Sequence, residues 1–365
     1  MTGKSPLNDV KTNKKQTKIK KQKMNRTTEN NIRSIYEKYK QENPKVRIRD
    51  AAKALKLTEA ELVYSSENNL YLLPDFHNLL NELKELGYVM ALTRNEYAVH
   101  ERKGIYSKAG FHGTIGLVVN PDIDLRLFMK DWKFVFAVNE NNRKSIQFFD
   151  RFGNAIHKVY LTEKSSVEAY ENLLDKFQTD QPDHLSIEMQ IPLKELPLET
   201  EKFDTKEFHQ EWKDLQDTHD FMGILKKHGL SRIQAMQNAP SGFTMEISRS
   251  KAESILNLVS SLKTEIMVFV GNSSCLQIHT GLAQRIVRTG PWINILDEEF
   301  NLHLNDQAIH SLWIVKKPTN LGLVHSVEAF DDQGNLIIQF FGKRKPSIPE
   351  SEDWRLLVQS LTETL

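Results

Sequence analysis

One short run of residues has the makings of a ligand site. Asp217-Thr218-His219-Asp220-Phe221-Met222-Gly223 leads into Ile224-Leu225-Lys226-Lys227-His228 and stops at Gly229. Asp217 suits a helix N-cap and Gly229 a helix-ending residue. His219 then falls in the first turn, with Gly223 one turn later on the same face. Glycine at such a position costs about 1 kcal/mol against alanine. The gap it leaves on the His219 face would admit a flat, bulky ligand. A cap-region histidine beside a packing glycine fits the same spacing, and spacing alone does not separate the two readings.

Other reactive side chains form weaker patterns. His100, His279 and His303 all lie in strand-like segments, and no close pair has the His-x-x-x-His spacing of a helical zinc site. Glu96 and His100 could share acid–base work only if the fold brings them into one cleft. Cys275 is the single cysteine. It sits in a strand-like run and reads as a buried, inert thiol, and one thiol excludes both an internal disulfide and a cysteine-rich metal site. No phosphate-binding loop or dinucleotide fingerprint is present.

The elements that must position these residues come in two similar sets. Two strand-rich stretches, Tyr88 to Leu161 and Glu265 to Phe341, resemble each other at a nearly constant offset. Met90-Ala91-Leu92-Thr93-Arg94-Asn95 aligns with Met267-Val268-Phe269-Val270-Gly271-Asn272. Asp124-Leu125-Arg126-Leu127 aligns with Asn301-Leu302-His303-Leu304, and Ser145 to Asp150 with Ser326 to Asp331. Arg151 to Asn154 and Asp331 to Asn335 read as hairpin turns. An amphipathic helix closes each set, at Val167 to Phe177 and at Ser351 to Leu361. Hairpin-linked strands give antiparallel sheets, so the expected class is α+β: a tandem duplication with two large antiparallel sheets, each flanked by helices.

Upstream of the first set, Ile32, Ile35, Tyr36 and Tyr39 have helical spacing, and Asn43-Pro44 ends that helix. A second helix opens at Arg49, and Thr58 with Glu61 makes a capping box for a third. The close pair could be a DNA-reading helix-turn-helix. Glu59 and Glu61 at the start of its second helix would repel phosphate, so a helical pair covering a sheet is preferred. The expected organisation is a basic disordered tail over 1–30, a first repeat over 31–180, a linker over 181–204 and a second repeat over 205–365.

Composition bounds the function. The chain has 365 residues, 39% hydrophobic and 27% charged, with a formal net charge of +1. That is the profile of a soluble globular protein with no overall pull toward nucleic acid. The lysine-rich tail from Lys11 to Lys23 reads as solvated chain, so nucleic acid is not an expected partner. No apolar run approaches the roughly 20 residues of a transmembrane helix. With no secretory leader and a single cysteine, the expected compartment is the cytoplasm.

These motifs together resemble the hemin-degrading factor family, the cytoplasmic heme-binding proteins of Gram-negative heme-uptake systems. The matching stretches are Arg94-Asn95-Glu96-Tyr97-Ala98-Val99-His100-Glu101, Asn120-Pro121 with Asp124 to Phe128, and Ser145 to Asp150. The second repeat adds Ile266 to Asn272, Gly290-Pro291-Trp292-Ile293-Asn294, Lys316-Lys317-Pro318-Thr319 and Gln339-Phe340-Phe341-Gly342-Lys343-Arg344. The resemblance covers about Ile32 to Leu361. It implies heme (iron protoporphyrin IX) as ligand, His219 as its axial iron ligand and Arg126 on the distal side. Arg232, Lys317, Gln339 and Arg344 would meet the propionates. Phe341 stands where some members carry a tyrosine, which removes one hydroxyl donor.

The resemblance implies either of two activities. One is oxidative degradation of imported heme to release iron, using O2 and an external electron donor. The other is carriage of heme to a separate oxygenase. The implied partners are heme, an inner-membrane heme transporter, an electron donor or a downstream oxygenase. One strong heme site is expected, in the second repeat.

Overall fold

The computed structural model describes residues 31–190, 203–344 and 348–362. The basic tail over 1–30 and residues 191–202 of the expected linker lie outside the described residues. Contacts divide the described chain into two compact units. One comprises 31–79, 131–158 and 167–190. The other comprises 80–130, 159–166 and the described residues from 203 onward.

In the first unit, helix α1 (31–42) precedes α2 (Ile48–Leu55) and α3 (Glu59–Tyr64). Lys56 closes α2 in the left-handed conformation. Thr58 then opens α3 with the reciprocal capping box that its Glu61 predicts. Ala60, Val63 and Tyr64 of α3 bury against Phe134, Phe136 and Phe149 of strands β7 (Trp132–Glu140) and β8 (Arg143–Asp150). The pair therefore covers a sheet. Asn141 and Asn142, both at positive φ, turn β7 into β8, a conformation asparagine tolerates and two-residue hairpins require. Residues 181–190 have no regular structure, yet Leu185 and Ile187 pack against the same apolar cluster.

The second unit carries β2 (Gly87–Arg94) through β6 (Asp124–Phe128), and β10 (Thr244–Ile247) through β18 (Leu336–Gly342). Its core is Val268, Val270, Ile314, Val327 and Phe340 from one sheet, met by Ile293, Ile295, Leu302 and Leu304 from the other. Helices α9 (Lys251–Leu262) and α10 (Glu352–Ser360) add Ile255, Leu256, Trp354 and Leu357. Among the described residues, no helix is long and apolar enough to cross a membrane.

The strands form two nine-stranded antiparallel sheets. One runs β1 (Leu70–Tyr71), β7, β8, β9 (Ala155–Ser165), β2, β3 (Ala98–Ile105), β15 (Phe300–Asn305), β14 (Trp292–Leu296), β13 (Ile286–Thr289). The other runs β10, β16 (Ser311–Thr319), β17 (Gly322–Phe330), β18, β11 (Ile266–Gly271), β12 (Cys275–Gly281), β6, β5 (Ile115–Val119), β4 (Gly110–His112). Each sheet takes six strands from one repeat and its last three from the other. The duplication is therefore interlocked. Asn95 donates to the Gly271 carbonyl at 3.1 Å, and Asn272, its counterpart, donates to the Arg94 carbonyl at 3.0 Å. The hairpin turns repeat atom for atom. Asp150 accepts from the Phe152 and Asn154 amides, and Asp331 from the Gln333 and Asn335 amides. This interlocking puts the β4–β6 edge of the first repeat, with Arg126, on the sheet of the second repeat.

Candidate functional site

The site is built on one face of the second sheet. Helices α6 (Thr205–Lys213), α7 (Phe221–His228) and α8 (Arg232–Gln237) cover part of that face. Phe208, Trp212, Phe221, Leu225 and Met236 bury against Val315 of β16 (Ser311–Thr319) and Phe330 of β17 (Gly322–Phe330). The Trp212 indole also donates to the Lys316 carbonyl at 3.0 Å, which fixes the helices on the strand.

His219 lies on a short 3-10 turn, Thr218–Asp220, that leads into α7. Asp217 caps this turn. Its Oδ1 accepts from the His219 amide at 2.9 Å and contacts the imidazole Nδ1 at 2.6 Å. These bonds from the His219 amide and then its ring, with the nearby Arg344 guanidinium, hold the Asp217 carboxyl below the usual range. An ionised carboxylate only accepts, so Nδ1 carries a proton, and in the neutral ring the lone pair is then on Nε2. The His219 side chain is 85% exposed. Gly229 ends α7 at positive φ, as the sequence predicts. A Cβ built on Gly223 meets nothing within 4 Å, so the helix packing does not require a glycine there.

Residues opposite one another across an antiparallel sheet share a face. Lys317 pairs with Val324, on the same face of β17 as Ser326 and Glu328. Glu328 pairs with Gln339, Gln339 with Phe269, and Phe269 with Ile278. Leu276, on the face of Ile278, pairs with Arg126 of β6. Lys317, Gln339, Phe341 and Arg126 thus all lie on the face that carries the His219 helices. Phe341 packs on Phe269 with ring centroids 4.9 Å apart.

Three charges gather beneath Phe221. Arg232 Nε and Nη2 donate to the two oxygens of Glu328 at 2.6 and 3.0 Å, and Lys317 Nζ donates at 2.8 Å. Both cations lie over the Phe221 ring, at 5.7 and 4.9 Å from its centroid. Glu328 is fully buried and Lys317 nearly so, whereas Arg232 keeps 19% of its side chain exposed. Burial pushes the Lys317 ammonium down to about 8. Burial would raise the Glu328 carboxyl, but Arg232 and Lys317 together hold it far below the carboxylate range.

The structure therefore brings the sequence-predicted residues into two groups, His219 with Asp217 and Arg344, and Arg232 with Lys317. Gln339 and Phe341 lie on the neighbouring strand. Arg126 stands apart on the same face, and its guanidinium is engaged by Asp124. Glu328 was not singled out from sequence, although a carboxylate among the apolar residues of Ser326 to Phe330 was a usable signal. Cys275 is buried, and burial pushes its thiol up to about 12, as an inert cysteine requires. Among the described residues, no group of three or more His, Cys, Asp or Glu side chains could hold a metal ion.

A duplicated, interlocked α+β fold with an exposed imidazole held by Asp217 beside its second sheet defines a class of two-repeat α+β proteins. Within that class, the chain belongs to the family of the haemin-degrading HemS/ChuX domain, whose model matches residues 51–177 and 229–361. The hemin transport protein HemS of Yersinia enterocolitica is 39% identical over 334 residues, covering 88% of this chain and 96% of that protein. Holo-PhuS, a heme-binding protein from Pseudomonas aeruginosa, is 42% identical with a TM-score of 0.88, over 92% of this chain and 99% of that one. ChuS, an E. coli heme oxygenase, is 34% identical with a TM-score of 0.83, over 91% of this chain and 100% of that one.

Proposed function

We propose that this protein is a cytoplasmic heme-binding protein that receives imported heme and degrades it oxidatively to release iron. The observation that carries the reading is His219, an exposed imidazole whose Nδ1–H is held by Asp217 so that Nε2 is ready to bind a metal. A single imidazole suits a metal whose other ligands come from a ring such as porphyrin. PhuS and ChuS, of the same fold, bind or oxidise heme, which supports the assignment.

In this reading His219 holds the iron, and the Arg232 and Arg344 guanidiniums meet the two propionates. Arginine's fork suits a carboxylate, and Gln339 adds an amide nearby. Phe269 and Phe341 give the porphyrin an apolar surface. Arg126, on the distal side, orients water and stabilises negative charge near the iron. The porphyrin and iron supply the redox chemistry, with O2 and an external electron donor. A heme transporter upstream and an electron donor are the implied partners.

In this reading the iron ligand and the propionate contacts come from the second repeat, and Arg126 comes from the first. The capping boxes at Thr58 and Ser231 align α3 with α8, which places Val46 where the second repeat has His219. In the first sheet, His303 occupies the position of Arg126 and holds Asn294 at 2.7 Å. Without an imidazole at Val46, the first repeat offers no equivalent iron ligand.

A carrier that passes heme to a separate oxygenase is the second reading. The exposure of His219 on a short turn favours it, because such a ligand can let go without unfolding a helix. Turnover with a reductant, O2 and catalase decides between the two. Biliverdin-like product and free iron support degradation. Intact heme under those conditions, with transfer to an acceptor, supports carriage.

A further inference from the structure

The net charge of +1 averages two unlike parts of the chain. Up to Leu57 the sequence holds 17 of the 49 Lys and Arg residues but only 5 of the 48 Asp and Glu residues, so the remainder is acidic. Part of the basic excess lies in residues 1–30, where lysines crowd between Lys11 and Lys23. The rest lies on α1 and α2 of the first unit. Ile32, Tyr36 and Tyr39 of α1 pack with Ile48, Ala51, Ala52 and Leu55 of α2. That apolar seam turns the charged positions of both helices outward. Lys38, Lys45, Arg47 and Lys56 are exposed, and none of them pairs with a described carboxylate. Arg33 and Lys40 are engaged by Glu67 and Glu140. Glu37, Glu42 and Asp50 are the exposed carboxylates of the same two helices.

We infer that this face of α1 and α2, with the basic stretch that precedes it, is a docking surface for an anionic lipid bilayer. The second repeat shows that the fold itself does not require the charge. Lys56 ends α2 in the left-handed conformation in which Gly229 ends α7, which aligns the two helices. Lys45 then stands at the position of Thr218, and Arg47 at that of Asp220. The turn that is acidic around His219 is basic here. Arg47 makes no side-chain cap for α2, so the helix gains no hydrogen bond from it. Lys56 holds a backbone conformation that glycine adopts more easily, so a lysine is kept there against local preference.

Three features favour a lipid surface over nucleic acid. The groove-reading helix of a helix-turn-helix would be α3, and it buries Ala60, Leu62, Val63 and Tyr64. The chain before Tyr36 has no aromatic residue to stack on bases. Its cations are mainly lysines, point charges that suit a diffuse anionic surface better than paired contacts to base edges. Ile35 adds an apolar contact. It is 43% exposed and lies one turn from Lys38, so it can enter the headgroup layer while the lysine reaches phosphate. The inference stands apart from the heme reading. It would serve that reading by holding the protein at the membrane where an imported ligand arrives.

The test is co-sedimentation of the full chain with vesicles of phosphatidylglycerol and phosphatidylcholine in equal parts, and with vesicles of phosphatidylcholine alone. The wild type is compared with a surface variant, Lys45→Gln/Arg47→Gln/Lys56→Gln, and with a tail variant in which Lys14, Lys15, Lys18, Lys20 and Lys21 become Gln. The wild type should bind the mixed vesicles at least about tenfold more tightly than phosphatidylcholine, and let go as salt rises. Each variant should lose about tenfold or more for the mixed vesicles, since a cation near an anionic leaflet contributes about fivefold. An unchanged thermal unfolding midpoint shows that a variant is folded. If the surface variant is not, Lys45→Gln alone, in the turn between helices, should still lose about threefold. Equal binding to both kinds of vesicle overturns the proposal, as does wild-type binding by the surface variant or by Lys45→Gln. Binding to duplex DNA, or salt-sensitive self-association, without binding to the mixed vesicles gives the surface to another partner and overturns it too.

Discussion

Asp217 has two separable tasks, and one substitution tells them apart. Its Oδ1 caps the turn through the His219 amide at 2.9 Å and holds the ring through Nδ1 at 2.6 Å. Asp217→Asn keeps a capping oxygen, because Asn and Asp cap about equally well. It removes the negative charge that fixes the Nδ1–H form and orients Nε2 toward a metal. Loss of such an outer partner of a metal-bound histidine costs about 10- to 100-fold in affinity, or ~1.4–2.7 kcal/mol. Asp217→Ala should lose the same binding energy and a further ~1 kcal/mol of folding stability from the missing cap. Hemin affinity is read from the Soret titration, and the off-rate from transfer to apomyoglobin. In a His219→Ala background, Asp217→Asn should change hemin affinity by less than about twofold, because the two residues act as one unit. Wild-type affinity in Asp217→Asn, or an undiminished effect without His219, would refute the reasoning.

Other perturbations reach the rest of the molecule. Arg126→Ala should alter the spectrum and any turnover of bound heme while leaving most of the affinity, as read by titration and product assay; complete loss of binding would reverse the roles given to the two sides of the ligand. Glu59→Ala removes the carboxylate that Lys158 holds at 3.0 Å in a site where both side chains are nine-tenths buried or close to it. It should cost about 3 kcal/mol in urea unfolding, and a loss under about 1 kcal/mol would contradict the buried pairing. His279 is stacked on Phe300 at 3.7 Å, and burial pushes it from 6.5 down to about 4. The folded state therefore resists its protonation, so stability is full above pH 6.5 and falls as the pH drops toward 4. Between pH 7 and pH 5 the loss should be about 2 kcal/mol. A His279→Gln variant should lack that component, and an unchanged pH slope would assign the acid sensitivity to other groups.

Much of the fold was legible because its signals are local. The capping box at Thr58, the left-handed end of α7 at Gly229 and the paired hairpins at Asp150 and Asp331 each follow from side chains a few residues apart. The duplication was legible from Ser145 to Asp150 against Ser326 to Asp331. The exchange of edge strands was not, because register between β12 and β6 depends on contacts far apart in sequence. Arg126 could be tied to the His219 face only through family resemblance, and the strand order supplies the physical reason. The Asp217 clamp on the ring depends on a side-chain rotamer that spacing does not fix. Glu328 escaped notice for a related reason: alternation marks it as inward, but only the fold shows Arg232 arriving from α8 to meet it. The burial of Lys317 was equally hidden, since Phe221 covers it from a distant helix.

The central claim is that one heme binds through His219. The most direct measurement is a hemin titration of the purified protein and of His219→Ala, followed by Soret absorption. The account predicts a saturable shift at about one heme per chain, with a changed spectrum and faster transfer to apomyoglobin in the variant. A wild type with no saturable shift, or a variant with identical spectrum and off-rate, would contradict it.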